Sequence, residues 1–237
     1  MAKIKAFLSV LLIAVIVVSG LALTKNIRVA NAQTFSDDWT MFHYDPAHTG
    51  YTPSQALINP PVVLWSSNTT SSFWETSPAI ANGIVYVTSE DLFAYNASTG
   101  DQIWDVGNGG EGCNPIVNGN IVYCGGVAYN AFTGVDLWSP NPAGAHVAQA
   151  FAKGYLYAQA YDVNFPQVGS HIVALLCLNA TTGTQIWRVP TNFIASDPAV
   201  ANGMLYIGGS DGNLHAFNAS TGTEAWSYPV NYVQVNV

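Results

Sequence analysis

The chain is short of positive charge. Only six of its 237 residues are Lys or Arg, and four of them, Lys3, Lys5, Lys25 and Arg28, stand before position 30. Beyond that point Lys153 and Arg188 face all 14 acidic residues, a net charge of −12. Such a surface repels phosphate backbones and anionic headgroups, so nucleic acid and acidic membrane surfaces are excluded as partners. Charged residues of both signs make up 8% of the chain, leaving Asn, Ser and Thr to carry much of its solubility. Cysteine is also scarce. Of the three, Cys113, Cys124 and Cys177, no two are adjacent. No Ser/His/Asp order and no Gly-rich phosphate loop stands out, and His146, His171 and His215 are scattered one to a segment.

What the chain does have is repetition. Thr-Gly followed four residues later by Trp occurs at Gly100 with Trp104, Gly134 with Trp138, Gly183 with Trp187 and Gly222 with Trp226. The tryptophans are 34, 49 and 39 residues apart. Upstream of three of them a Pro precedes an Asn-Gly pair and a Tyr: Pro78 with Asn82-Gly83 and Tyr86, Pro115 with Asn118-Gly119 and Tyr123, Pro198 with Asn202-Gly203 and Tyr206. The third unit keeps Lys153-Gly154 and Tyr157 without the Pro. Asn-Gly between alternating apolar runs predicts a tight hairpin. In the fourth unit Asp211-Gly212-Asn213 and Ser220-Thr221-Gly222 divide the rest into two further runs. Four short strands per unit, at a period near 40, predict the blades of a β-propeller. The blades span about 76–106, 113–140, 146–189 and 196–230, and the excess length of the third places a loop insertion at Asp162 to Ser170. A single meander of this size cannot bury both faces, so each blade needs a neighbour.

The Gly-His and Trp-Asp signature of WD40 blades does not recur. The units instead resemble the pyrroloquinoline-quinone-like (PQQ-like) propeller repeat, with its docking motif Ala-x-Asp/Asn-x-x-Thr-Gly-x-x-x-Trp, and are similar to the barrel-assembly lipoprotein type of propeller. The motif stands at Ala94 to Trp104, Ala128 to Trp138 and Ala216 to Trp226, while the third copy has Cys177 in place of Ala. The resemblance implies that each Trp packs flat on the Gly of a neighbouring blade. It also implies a ring that generally closes at eight blades, whereas four are written here, preceded by Pro60 to Ser66 as a lone fourth strand around Trp65. Three arrangements follow: an open arc with exposed edges, an arc completed by a second copy or a separately encoded half, or a small four-bladed ring. Quinoprotein dehydrogenases of this class carry a vicinal Cys pair and a Glu/Asn/Asp calcium site. The absence of adjacent cysteines points away from that chemistry, so no cofactor, no metal and no catalytic residue is expected. A quinoprotein remnant and a structural surface glycoprotein remain as alternatives to a binding scaffold.

At the N-terminus two lysines, an apolar run from Ala6 to Leu23 and Ala30-Asn31-Ala32 form an export signal over residues 1–32. The 18-residue run meets the lower limit of a membrane span, so cleavage and anchoring both stand. Either places the protein outside the cytoplasm, touching membrane only if uncleaved. A leader, residues 33–59, follows, containing the stretch Asp38 to Pro53 with turn formers at Asp45-Pro46 and Thr49-Gly50. His43 and His48 with Asp37, Asp38 and Asp45 lack zinc-type spacing, which favours a packed, turn-stabilising segment. In an exported chain Cys113 and Cys124 can bridge the second hairpin. They lie directly opposite if the turn is Asn118-Gly119, and diagonal if it falls one residue on. Sequons at Asn68, Asn96, Asn179 and Asn218 are open to glycosylation, though three coincide with the Asn of the docking turn. The expected partner is a protein or a glycan, and the expected contact surface is the insertion with Phe165 and Pro166.

Overall fold

The computed structural model describes residues 38–52, 62–67, 76–107, 113–139, 146–161, 173–193 and 195–230. All lie within one compact unit, Ser36–Val237. The export segment, Asp37, residues 53–61, Asn68, His171, and the insertion with Phe165 and Pro166 fall outside the described residues.

Among the described residues there are sixteen strands and no helix. They form four antiparallel sheets of four strands, each connected in simple sequence order. The first holds β1 (Ala79–Ala81), β2 (Ile84–Thr88), β3 (Leu92–Asn96) and β4 (Gln102–Val106). The second holds β5 (Ile116–Asn118), β6 (Ile121–Cys124), β7 (Val127–Asn130) and β8 (Asp136–Trp138). The third holds β9 (His146–Ala152), β10 (Tyr155–Tyr161), β11 (Val173–Asn179) and β12 (Gln185–Thr191). The fourth holds β13 (Ala199–Ala201), β14 (Met204–Gly208), β15 (Asn213–Asn218) and β16 (Glu224–Pro229). These are four propeller blades.

The hairpin turns follow the Asn-Gly logic in blades one and four, where Asn82 and Asn202 take positive φ beside Gly83 and Gly203, and Lys153-Gly154 does the same in blade three. Blade two departs. Asn118 pairs with Ile121, so its turn is Gly119-Asn120, one residue beyond Asn118-Gly119. The shift brings Ile116 opposite Tyr123, the register that Ala79 with Tyr86 and Ala199 with Tyr206 also adopt. Matching the apolar face to the neighbouring sheets decides the register over the local turn preference.

Every blade carries the same irregularity in the same place. Trp104, Trp138, Trp187 and Trp226 pair with Ala94, Ala128, Cys177 and Ala216, and the register then slips by one residue. A β-bulge there re-aims the outer strand. In the first three blades it leaves Ile103, Leu137 and Ile186 on the outside, between 44% and 49% exposed. A small residue opposite each indole leaves room for the ring.

The hydrophobic core lies between sheets. One cluster joins blades one and two around Tyr86, Leu92, Trp104 and Val122. A second joins two and three around Tyr123, Leu156, Leu176 and Leu178, and a third joins three and four around Leu175, Trp187, Leu205 and Phe217. The order of blades is therefore fixed by burial, since each sheet's two faces alternate along the strand.

Residues 62–67 form no ladder, although the sequence suggested a lone fourth strand there. No described strand lies alongside it, yet Trp65 still seats against blade one.

Candidate functional site: the axial cluster and the joints between blades

Two sets of residues bring elements together from distant parts of the chain. The first is the leader. Trp39 and Ile80 exchange backbone hydrogen bonds of 2.7 Å each, Val117 N–H donates to the Thr40 carbonyl at 2.7 Å, and Val200 N–H donates to the Pro46 carbonyl at 2.6 Å. The leader thus crosses the first strands of blades one, two and four, and Met41 is buried in the core between blades two and three. Its loop is tightly wound, with positive φ at His43, Tyr44 and His48. Asp45 holds it by accepting from the N–H groups of Ala47 and Thr49 and from the Thr49 hydroxyl. Partial burial raises the Asp45 pKa, but these hydrogen bonds outweigh it and leave the carboxyl below its ordinary range.

Beneath that loop lies an amide-rich belt built from the residues that enter each first strand. Ser77, Asn114 and Asp197 occupy equivalent places, each followed by Pro. Ser77 N–H donates to Asn114 Oδ1 at 2.7 Å, and Asn114 Nδ2 donates to Asp197 Oδ2. Blade three enters without the Pro, and its Gln149 N–H is therefore free to donate to Asp197 Oδ1, at 3.2 Å. The Gln149 side chain donates to the carbonyls of Asn114 and Tyr123 at 2.8 and 3.1 Å. One carboxylate and two amides so link all four blades. Burial pushes the Asp197 carboxyl above its usual range, only partly offset by the bonds from Asn114 and Gln149. His48, from the leader, is pushed down by burial against the opposing pull of Asp197. Among the described residues no serine, threonine or tyrosine hydroxyl and no cysteine thiol is hydrogen-bonded to Asp197. Among the described residues no three His, Cys, Asp or Glu side chains are grouped to hold a metal. His43 instead stacks on Phe42, with ring centroids 4.0 Å apart.

The second set is the joints. A Cβ built on Gly134 would lie 2.9 Å from Trp104, one on Gly183 2.6 Å from Trp138, and one on Gly222 2.6 Å from Trp187. Gly100 is covered in the same way by Trp65, at 2.7 Å. Each indole lies flat on a glycine with φ between 70° and 77°, a backbone that other L residues seldom adopt. Each indole N–H also donates to a carbonyl just before that glycine: Trp65 to Ala97, Trp104 to Ala131, Trp138 to Ala180 and Trp187 to Ala219, at 2.9 to 3.1 Å. Two of those carbonyls take a second donor, Tyr86 on Ala131 and Tyr123 on Ala180. Burial drives both phenols up to about 12. In the third joint Tyr157 turns instead to the Cys177 sulfur, the residue that replaces Ala in this copy. Cys177 is a buried free thiol, and burial raises it to about 11, far from reactive. A cavity of about 70 Å³ lies beside it, lined by Tyr157, Ala219 and Ser220 among others.

The other residues singled out by sequence are placed as follows. Cys113 and Cys124 form a disulfide with a Cα separation of 5.7 Å, diagonal across the hairpin. Asn96, Asn179 and Asn218 each accept two backbone N–H bonds through Oδ1, capping the docking turn. Asn130, which is not in a sequon, does the same in blade two. Turn geometry thus accounts for these asparagines without a glycan. His215 is the centre of a group that spacing did not reveal: its Nδ1 lies 2.8 Å from Glu224, its Nε2 3.2 Å from Asp211, and its ring stacks on Phe193. Gln149 and the axial role of Asn114 and Asp197 were also missed, though the recurring polar-Pro step into each blade was a signal for the latter two.

The family model described as outer membrane protein assembly factor BamB matches residues 58–162 and 125–235. A tetrathionate hydrolase of Acidithiobacillus ferrooxidans is 30% identical over 208 residues, covering 64% of this chain and 41% of that protein. A quinohemoprotein alcohol dehydrogenase of Comamonas testosteroni is 30% identical over 139 residues, covering 48% of this chain and 19% of the relative. The crystal structure of the Comamonas enzyme superposes with a TM-score of 0.65 at 18% identity, over 81% of this chain and 41% of that one. The quinohemoprotein alcohol dehydrogenase ADHIIG of Pseudomonas putida HK5 gives 0.63 at 18% identity, over 81% and 40%. The chain therefore spans less than half the length of these relatives.

Proposed function

The chain belongs to the PQQ-like propeller family whose model is described as outer membrane protein assembly factor BamB, and from that premise we propose that it works outside the cytoplasm as a rigid, non-catalytic scaffold for a protein or glycan partner. The observation that carries this reading is the leader. It is bonded to the first strands of blades one, two and four and brings His48 within the field of Asp197, which supports reading it as a cover over the first strands rather than an opening for a small ligand. Binding is then left to the loops on the rim.

The quinone cofactor that the fold suggests does not fit the residues present. The two cysteines that pair do so across a hairpin, eleven residues apart in sequence, and the belt's one carboxylate, Asp197, and the Asn114 Oδ1 already accept from protein N–H groups, short of the roughly six to eight oxygens that calcium takes.

Purified chain is tested with tetrathionate, and with a primary alcohol after incubation with PQQ and calcium. The scaffold reading expects no turnover in either. It also expects deletion of Asp162 to Ser170 to leave melting unchanged while partner binding is lost.

One observation favours a second reading. Asp197 is a partly buried carboxyl held above its ordinary pKa by desolvation and close enough to His48 to feel its charge, a carboxyl of the kind that can serve as a general acid, and one relative is a hydrolase. Tetrathionate turnover by the wild type that falls at least about a hundredfold in Asp197→Asn, within the usual range for loss of an acid-base group, would replace the scaffold reading with this one.

A further inference from the structure

Phe132 and Val135 flank the Thr133-Gly134 of blade two, at positions where the repeat elsewhere has polar residues: Ser98 and Asp101 in blade one, Thr181 and Thr184 in blade three, Ser220 and Thr223 in blade four. They are 44% and 61% exposed, and Leu137 on the outer strand β8 is 47% exposed. The turn itself does not call for them. Asn130 caps it through Oδ1 and Gly134 receives Trp104, just as the polar turns of the other blades are capped and covered. Blade two has a neighbour on each face, so its outer strand faces outward as part of the rim.

The patch extends over the first joint. In the third joint Ile186 and Ser220 line one cavity, and the residues at the same repeat positions in the first joint are Ile103 and Phe132. Ile103, 44% exposed, thus carries the apolar surface onto blade one. A cluster of exposed apolar side chains rimmed by polar ones marks an interaction surface more often than scattered single residues do.

The charge around it has one sign. Asp136 stands between Val135 and Leu137, and Asp101 and Asp105 stand on either side of Ile103, all three exposed. Each hydrogen-bonds to a neutral side chain, Asp101 to Thr99, Asp105 to Gln102 and Asp136 to Ser139. The two bases beyond position 30, Lys153 and Arg188, both belong to blade three. A second copy of this chain would bring the same carboxylates to the contact, so like charge opposes self-association there.

We propose that this rim patch docks a segment of a partner protein in which apolar side chains alternate with Lys or Arg. The apolar groups take Ile103, Phe132, Val135 and Leu137 out of water, and the cations answer the three carboxylates, which steers the encounter and selects the segment. The proposal rests on the reading of the chain as a binding scaffold and gives it a contact separate in sequence from Asp162 to Ser170.

Fluorescence anisotropy on the full chain tests this, with the labelled heptapeptide acetyl-Lys-Leu-Lys-Leu-Lys-Leu-Lys-amide as probe and its Glu-for-Lys counterpart as control. Wild type should bind the cationic peptide at least about tenfold more tightly than the anionic one. Phe132→Ser combined with Val135→Thr installs the residue types that blade four carries at these places, so it should melt like wild type. It keeps the net charge, yet should bind the cationic peptide at least about tenfold more weakly, as loss of anchor side chains does. Asp136→Asn, at an exposed site, should weaken binding and reduce its dependence on salt. Removal of Asp162 to Ser170 should leave peptide binding unchanged. Undiminished binding in the Phe132/Val135 double variant overturns the proposal, because attraction to net charge alone would then suffice. So does a wild type that binds neither peptide or both equally, or an Asp136→Asn variant with unaltered affinity and salt dependence. Each of those results leaves the scaffold reading standing, since that reading fails on turnover of tetrathionate or alcohol, which the patch variants should not alter.

Discussion

Trp104 of blade one lies across Gly134 of blade two, so close that a methyl group on that glycine would sit 2.9 Å from the indole, while the ring N–H donates to Ala131 at 3.0 Å. One contact uses the flat face and the edge of a single side chain at once. It fixes both the distance and the rotation between the two sheets, and the next two joints repeat it.

Gly134→Ala should destabilise the chain by about 2–4 kcal/mol, because left-handed backbone and overpacking act together at this site. Gly83→Ala shares the positive φ but nothing lies within 4 Å of its Cβ, so its loss should stay near 1–2 kcal/mol, roughly the backbone term alone. Urea unfolding of the two variants separates the indole contact from the backbone effect.

Trp104→Ala removes a side chain that is 9% exposed and should cost about 3–5 kcal/mol. Trp226→Ala, at an equivalent position in sequence, should cost under about 0.5 kcal/mol in the monomer, as an exposed surface change does. The same denaturant series measures both.

Reducing the Cys113–Cys124 bridge reopens a loop of sequence separation 11 and should lower stability by about 3 kcal/mol. Ser at both positions should reproduce the reduced midpoint, while Cys177→Ser, which leaves the bridge in place, should keep the full loss of stability on reduction.

Stability should depend on pH through His215. Burial lowers its pKa, but hydrogen bonds to Glu224 and Asp211 outweigh that and raise it above 6.5. The folded state therefore gains from protonation. That gain is complete below the unfolded value of 6.5 and disappears as pH rises through the folded one. Asp211 is lowered from 3.8, so its share is present above 3.8 and fades as pH falls through the depressed value. His215→Gln should flatten the fall in melting temperature as pH rises above 6.5. An unchanged slope would remove this clamp from the account.

The blades were legible because their residues repeat. Asn96, Gly100 and Trp104 each answer to a need of a joint on one side of the blade or the other, so the same residues are written into every copy. The turn of blade two was less so: Asn118-Gly119 is a good local hairpin, and only the burial of Ile116 and Tyr123 at 2% and 1% shows why the register moves on. Relations that occur once left no pattern to count. Gln149 fills the axial belt because one blade lacks the Pro, and His215 reaches Glu224 only through the pairing of β15 with β16.

Exchange of the indole protons with deuterated solvent, followed by NMR with each tryptophan assigned by replacement with Phe, tests the interlock most directly. The indole N–H groups of Trp104, Trp138 and Trp187, each bonded to a neighbouring blade, should exchange slowly, at rates tied to unfolding, and Trp226 in the monomer should exchange at once. Equal rates for all four, whether fast or slow, would contradict the joints on which the whole architecture rests.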